Sequence, residues 1–128
     1  MRNMSFMLTT QQMRDETKDV TRRLGWSFLK AGDLVMACVK CQGLGKGGKI
    51  ERIHPIKIVS VENESLMDIE DRSLRAGSDR TEMEREGFPN MSGPDFIAMF
   101  SREMKCHADE FVNRIEFLHI STGGTEND

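Results

Sequence analysis

The chain has no tyrosine, one tryptophan, three prolines and three cysteines in 128 residues. It also lacks any long hydrophobic run. Each shortage excludes something. An odd number of cysteines argues against a disulfide framework, so a reducing cytoplasm is the expected location. No apolar stretch approaches the ~20 residues of a membrane span, so no membrane partner is expected. The apolar start from Met4 to Leu8 is too short for a signal peptide and has no small-residue cleavage site. What is present suffices for one domain. A hydrophobic share of 38% with 30% charged residues is the balance of a globular chain. A chain of this length buries roughly two-thirds of its unfolded surface without help from metal or disulfide. One domain is expected over 1–120, with a disordered polar tail at 121–128.

The formal net charge of −3 hides an asymmetry. Residues 1–57 hold 11 Lys/Arg against 5 Asp/Glu, a net of +6, and residues 58–128 hold 7 against 16, a net of −9. A locally positive surface on an acidic protein would follow if the halves stay apart in space, and an even scatter if they do not.

Local chemistry marks the elements. Ser5 to Leu8 reads as a first strand, and Thr9 with Gln12 as a capping box opening a surface helix over 10–17, with Leu8 and Met13 as its hydrophobic staple. Val20 to Leu24, Leu34 to Cys41 and Ile50 to Val61 are strand-like, Pro55 suggesting an edge or a bulge. Ser65 and Asp68 open a weak helix over 66–75. A short helix begins at Asp79 or Thr81 and ends at Gly87, a natural left-handed cap. Ser92-Gly93-Pro94-Asp95 opens a third helix over 93–104, with Phe96, Ile97, Phe100 and Met104 on one face. Phe111 to Ile120 closes the chain as a strand in which Arg114 and Glu116 alternate with Ile115 and Phe117. Without strand–helix alternation or an internal repeat, the order fits an α+β fold: a small mixed sheet or incomplete barrel with helices packed outside.

Several constellations bear on chemistry. Cys38-Val39-Lys40-Cys41 has metal-ligand spacing, with His54, Cys106 and His107 as further candidates. In a strand, however, residues three apart face opposite ways, so no metal is expected. Gly43 to Lys49 is not GxxxxGK[ST], and no helix begins there to bind phosphate, so it reads as a flexible connection. Met7, Met36, Met99 and Met104 occupy apolar positions as core fillers. Trp26, beside Phe28 near a turn, either stacks on a base or caps the core. The most informative stretch is Thr17 to Arg23, where Lys18, Arg22 and Arg23 crowd with two hydroxyls at a strand start. Such a cluster is costly unless an anion lies near.

Lys18-x-x-Thr21-x-Arg23 after a short helix, then Gly32-Asp33 entering a strand, resembles the ASCH branch of the PUA-like superfamily. Glu86-Gly87-Phe88, the helix bearing Phe96 and Phe100, and Arg114 to Phe117 continue the likeness, which covers roughly residues 5–120 and is similar to ASCH proteins of phages and prophages. The resemblance implies a PUA-like mixed β-barrel with a cleft suited to RNA or modified nucleobases, and no cofactor. Some ASCH proteins are amidohydrolases that deacetylate N4-acetylcytidine through Lys-x-x-Thr and a distant Glu. Lys18, Thr21 and Glu86 match that set, with Glu82 and Glu84 as alternatives for the last. In that chemistry Thr21 attacks the amide, a neutral Lys18 takes its proton and Glu86 protonates the leaving amine. The sequence departs from the subgroup in its length, its Gly-rich loop and Arg22 inside the motif. The first expectation is therefore a binding module for a nucleoside, nucleotide or single-stranded RNA, with Arg22, Arg23 and Trp26 contacting the ligand. The alternatives are an amidohydrolase, a ribonuclease, or a module binding a host protein.

Overall fold

Where apolar residues alternate most regularly, the chain forms its two longest strands, and these lie side by side at the centre of the sheet. The computed structural model describes residues 1–41, 44–72 and 80–120. The five strands are β1 (Arg2–Ser5), β2 (Val20–Arg23), β3 (Leu34–Cys38), β4 (Arg52–Ser65) and β5 (Phe111–His119). They pair in the order β1-β3-β4-β5-β2, with only β1 and β3 parallel. The sheet is mixed and curls into a half-barrel with β1 and β2 as its edges, which is the α+β, PUA-like architecture expected. Its helices are α1 (Thr10–Arg14), α2 (Glu82–Glu86) and α3 (Gly93–Met104).

The alternation of side chains divides the core in two. Ile56, Ile58, Ile115 and Phe117 point into the curl with Met4, Phe6, Met13, Val35 and Ala37. Val112, on the other face of β5, joins Leu66, Ile69, Met83, Phe96, Ile97 and Phe100 beneath the helices. Two of the four helix starts read from sequence, at Thr81 and at Ser92, begin helices as expected. The Thr81 hydroxyl accepts from Glu84 N–H while Glu84 reaches back to Thr81 N–H, and the Ser92 hydroxyl accepts from Asp95 N–H.

Several local expectations fail for identifiable reasons. The first strand is 2–5, not 5–8, because β1 is set by parallel pairing with β3 and the chain turns at Phe6. Thr9 makes no side-chain cap, the helix stops at Arg14, Met13 is fully buried and Leu8 exposed, so no staple forms. β4 runs on to Ser65, and the helix expected at 66–75 is a 3-10 helix over Leu66–Arg72. Residues 73–79, 42–43 and the tail from 121 lie outside the described residues. Pro55 sits in the central strand, not at an edge, just beyond the point where β5 pairing ends at Ile56 and two residues after Ile53, where the register with β3 shifts between Ala37 and Cys38. Among the described residues no helix is long and apolar enough to cross a membrane.

Gly87 ends α2 at φ 95°, and a Cβ there would lie 3.3 Å from Thr9 Cγ2 and 3.4 Å from Gln12 Cβ. Its carbonyl also accepts from Gln12 Nε2 at 2.9 Å, joining α1 to α2. Gly87→Ala is expected to cost about 1–2 kcal/mol, since an L-residue in this backbone region is strained. Urea unfolding reads that loss, and an unchanged midpoint would show that the junction relaxes freely.

Candidate functional site

The face of the sheet turned away from the first core carries a row of charges that would be solvated were it not covered by α2. Arg22 on β2 stands directly opposite Arg114 on β5, and Arg114 opposite Glu62 on β4, with Glu64 two residues along. Two like charges facing each other across a ladder are unfavourable. Here α2 resolves the conflict with Glu82 and Glu86, four residues apart and therefore on one helical face. Glu82 Oε2 accepts from Arg22 Nη2 and from Arg114 Nε, each at 2.6 Å. Arg22 also donates from Nε to Glu64 (2.9 Å) and from Nη1 to Glu86 (2.8 Å). Arg114 and Glu82 are fully buried. Burial alone would lower the Arg22 guanidinium, and Glu86, Glu82 and Glu64 reverse this and raise it. Burial would raise the Glu82 carboxyl, but Arg114 and Arg22 hold it below the ordinary range.

Lys18 continues this network to the edge of the sheet. Its Nζ donates to Glu86 Oε1 at 3.0 Å and to the Glu86 carbonyl at 2.5 Å, and its side chain is almost wholly buried. Burial draws its pKa down against the pull of Glu86, and the charges of Arg23 and Arg22 push the same way as burial.

A cavity of about 320 Å³ lies between β2, the turn at Met7 to Thr9, and α3. Lys18, Thr21, Arg22, Arg23 and Glu86 all line it, so the motif Lys18-x-x-Thr21-x-Arg23 and the distant Glu86 meet in one place. Their availability differs. Arg22 is committed to three carboxylates and forms a wall, not a free cation. Arg23 lies on the other face of the strand, half-buried, its guanidinium 4.6 Å above the Phe6 ring and its Nε donating to Thr21 Oγ1 at 3.1 Å. No carboxylate among the described residues is within ion-pair distance of it. Burial lowers Arg23 to about 10, which leaves it charged at neutral pH.

Sequence reasoning missed the walls. Phe88, Phe96, Met99 and Phe100 line the apolar side of the cavity, and Met7, Leu8 and Met104 its rim. The helical spacing of Phe96 and Phe100 marked them as core, and they serve both purposes. Trp26 does not line the cavity; it packs on the first core and against Phe28, with its backbone N–H donating to Asn113 Oδ1 at 2.8 Å. Arg114, which alternates with Ile115 and Phe117 along β5, is buried beneath α2. Cys38 and Cys41 correct another expectation. β3 ends at Cys38, so strand geometry does not separate the two thiols; burial and the neighbouring Cys41 push the Cys38 thiol up to about 11. Among the described residues no three His, Cys, Asp or Glu side chains cluster to hold a metal.

The charge asymmetry along the sequence is partly an interior one. Lys18 and Arg22 from the basic half pair with Glu64, Glu82 and Glu86 of the acidic half, and Arg85 pairs with Asp19 at 2.9 Å.

No family model and no curated protein sequence matches this chain. Solved structures do. A protein of family DUF984 from Enterococcus faecalis superposes with a TM-score of 0.58 at 13% identity, covering 88% of this chain and 70% of its own. The ASCH domain from Lactobacillus crispatus superposes with a TM-score of 0.50, again at 13% identity, covering 92% and 78%. At that identity the likeness establishes the fold: this chain has an ASCH-like, PUA-like architecture.

Proposed function

We propose that this chain is a nucleotide- or RNA-binding module of the PUA-like kind, which holds one nucleotide-sized unit in the cavity beside β2. The observation that carries the reading is the composition of that cavity. Its floor offers one unpaired guanidinium, Arg23, together with the Thr21 hydroxyl and the Lys18–Glu86 pair, and its wall is built of Phe88, Phe96 and Phe100. A base needs an aromatic or apolar surface and a few polar partners at its edge, and a phosphate needs a cation. A volume of about 320 Å³ is at the small end of ligand pockets, roughly 300–1,000 Å³, which suits a single nucleotide or an unstacked base and excludes a duplex.

Binding is tested by titrating a labelled, mixed-sequence single-stranded RNA and, in competition, cytidine 5′-monophosphate. The affinity is expected to fall with salt as phosphate contacts displace counterions. Arg23→Gln, which removes the charge but keeps a donor near Thr21, should weaken binding by about tenfold, as expected for a charge-assisted bond. Lys57→Gln, exposed on β4 and outside the cavity, should change it by less than about twofold. Equal losses from the two changes would place the binding surface elsewhere.

A second reading, hydrolysis of an acylated cytidine, is favoured by the convergence of Lys18, Thr21 and Glu86 in the same cavity. The geometry alters one role within it. Both Glu86 carboxylate oxygens accept hydrogen bonds from cations, Oε1 from Lys18 and Oε2 from Arg22. A carboxylate so placed orients Lys18 and is poorly suited to donating a proton.

A further inference from the structure

The alternation that sends Ile115 and Phe117 into the curl of the sheet sends His119, the last residue of β5, the same way. His54, two residues before the His119 partner Ile56 on β4, is its diagonal neighbour on that face. The two imidazoles meet at 2.6 Å, His54 Nε2 to His119 Nδ1, and His119 Nε2 lies 2.5 Å from the carbonyl oxygen of Lys18. A carbonyl only accepts, so His119 must carry its proton on Nε2. Its Nδ1 is then an acceptor, and His54 must donate from its own Nε2. The pair forms a directed chain: His54 to His119 to the Lys18 backbone. With Lys18 N–H donating to Gln12 O at 3.3 Å and Nζ held by Glu86, Lys18 is fixed at both ends of its backbone and at its tip.

We propose that His119, held in one tautomer by His54, is a positioning residue for Lys18, and that the pair makes the cavity sensitive to acid pH. The second half of the proposal rests on the reading of the cavity as a binding site. One proton is accommodated on the outer nitrogen of His54, leaving the chain intact. A second would put N–H groups on both nitrogens that now face each other at 2.6 Å. The rings must then part, and the bond to Lys18 is lost with them.

The surroundings give the pair little help in taking that charge. Ala37, opposite His54 on β3, is apolar, and Phe117 packs edge-on against His119 at 5.3 Å. From the segment before β2, Lys18 presents only its carbonyl, its ammonium being turned to Glu86, while Asp19 is engaged by Arg85. Glu16, after α1, is the carboxylate whose field favours charge on His54, and burial and His119 outweigh it, lowering His54 below the usual imidazole range. The sign follows. With His54 held below the ordinary histidine value, about 6.5, even the first proton arrives only in acid, so the arrangement stands at neutral pH and is lost as pH falls far enough to add the second.

The ring nitrogens report directly on the first half, with no ligand present. Long-range 15N–1H correlation spectra at pH 8 should show both histidines protonated at Nε2 alone, and the Lys18 amide signal should move with the His119 titration. A His119 protonated at Nδ1, or a Lys18 signal indifferent to His119, would overturn the proposal whether or not the protein binds RNA. Binding of the labelled single-stranded RNA then tests the coupling. His119→Gln places an amide nitrogen where Nε2 stood, so it should keep affinity within about threefold and lose the acid limb of the pH profile. His119→Leu should weaken binding by about tenfold, the loss of one hydrogen bond. An acid limb that persists unchanged in His119→Gln would sink the coupling, and wild-type protein that binds no RNA at any pH would sink the proposed function while leaving the tautomers to decide the positioning role.

Discussion

Replacing Arg22 by leucine should cost about 3–5 kcal/mol of stability at neutral pH, which is the usual cost of removing one partner from a buried ionic network. Arg22 holds Glu64, Glu82 and Glu86 through three separate nitrogens and is shielded from water. Without it Glu82 retains Arg114 and Glu86 retains Lys18, but Glu64 loses its ion-pair contact with Arg22. The deficit, read from urea unfolding, should narrow as pH falls. In the wild type the lowered Glu82 pKa contributes stability that is present above the ordinary glutamate value, about 4.3, and is lost as pH falls towards the folded value. In the variant, carboxylates that no longer face Arg22 are relieved by the same protons. A loss under about 1 kcal/mol, or one that does not vary with pH, would mean that Arg22 is solvated in solution and available to a ligand after all.

That network also explains what the sequence could and could not disclose. The helices at 82–86 and 93–104 were legible because their starts and stops are local chemistry: a start at Asp79 or Thr81 and a stop at Gly87 for the first, and Ser92 with Pro94 and Asp95 for the second. The strands at 20–23 and 111–119 were legible from alternation, which says that two faces differ but not which elements cover them. Alternation therefore left the surroundings of Arg114 undefined, and α2 lies over its side of the sheet. The same blindness made Arg22 and Arg23 look equivalent. They are one residue apart, so they occupy opposite faces, one inside an ionic core and one beside an open cavity. β1 was misplaced because its register is fixed by β3, some thirty residues on, and nothing local encodes that. His119 carried no signal at all: its partner is a backbone carbonyl a hundred residues earlier. The Lys18, Thr21 and Glu86 set was legible only as a resemblance, through the order of short motifs; the fold brings those residues together by laying α2 against β2.

If the cavity is hydrolytic, N4-acetylcytidine should yield cytidine and acetate, and the pH dependence should identify the acid–base group. In the scheme the geometry favours, Thr21 Oγ bonds to the acyl carbon as its proton passes to neutral Lys18. The resulting ammonium then returns that proton to the departing amine as the C–N bond breaks, and water frees acetate from Thr21. Arg23 Nε, already donating to Thr21 Oγ1, would favour the oxygen as it loses its proton. Lys18 must be deprotonated to begin, and its pKa is drawn down by burial. Turnover should therefore rise with pH and level off above the folded Lys18 value. If Glu86 were the proton donor, it would have to start protonated, and turnover would fall as pH rises. Thr21→Ala should abolish product release, while circular dichroism and urea unfolding show the fold retained, because one edge-strand hydroxyl contributes little. Lys18→Met should slow turnover by about 10²–10⁴-fold, the usual share of a general base. A falling pH limb would reassign the proton to Glu86, and N4-acetylcytidine left intact by the wild type would leave the binding module standing alone.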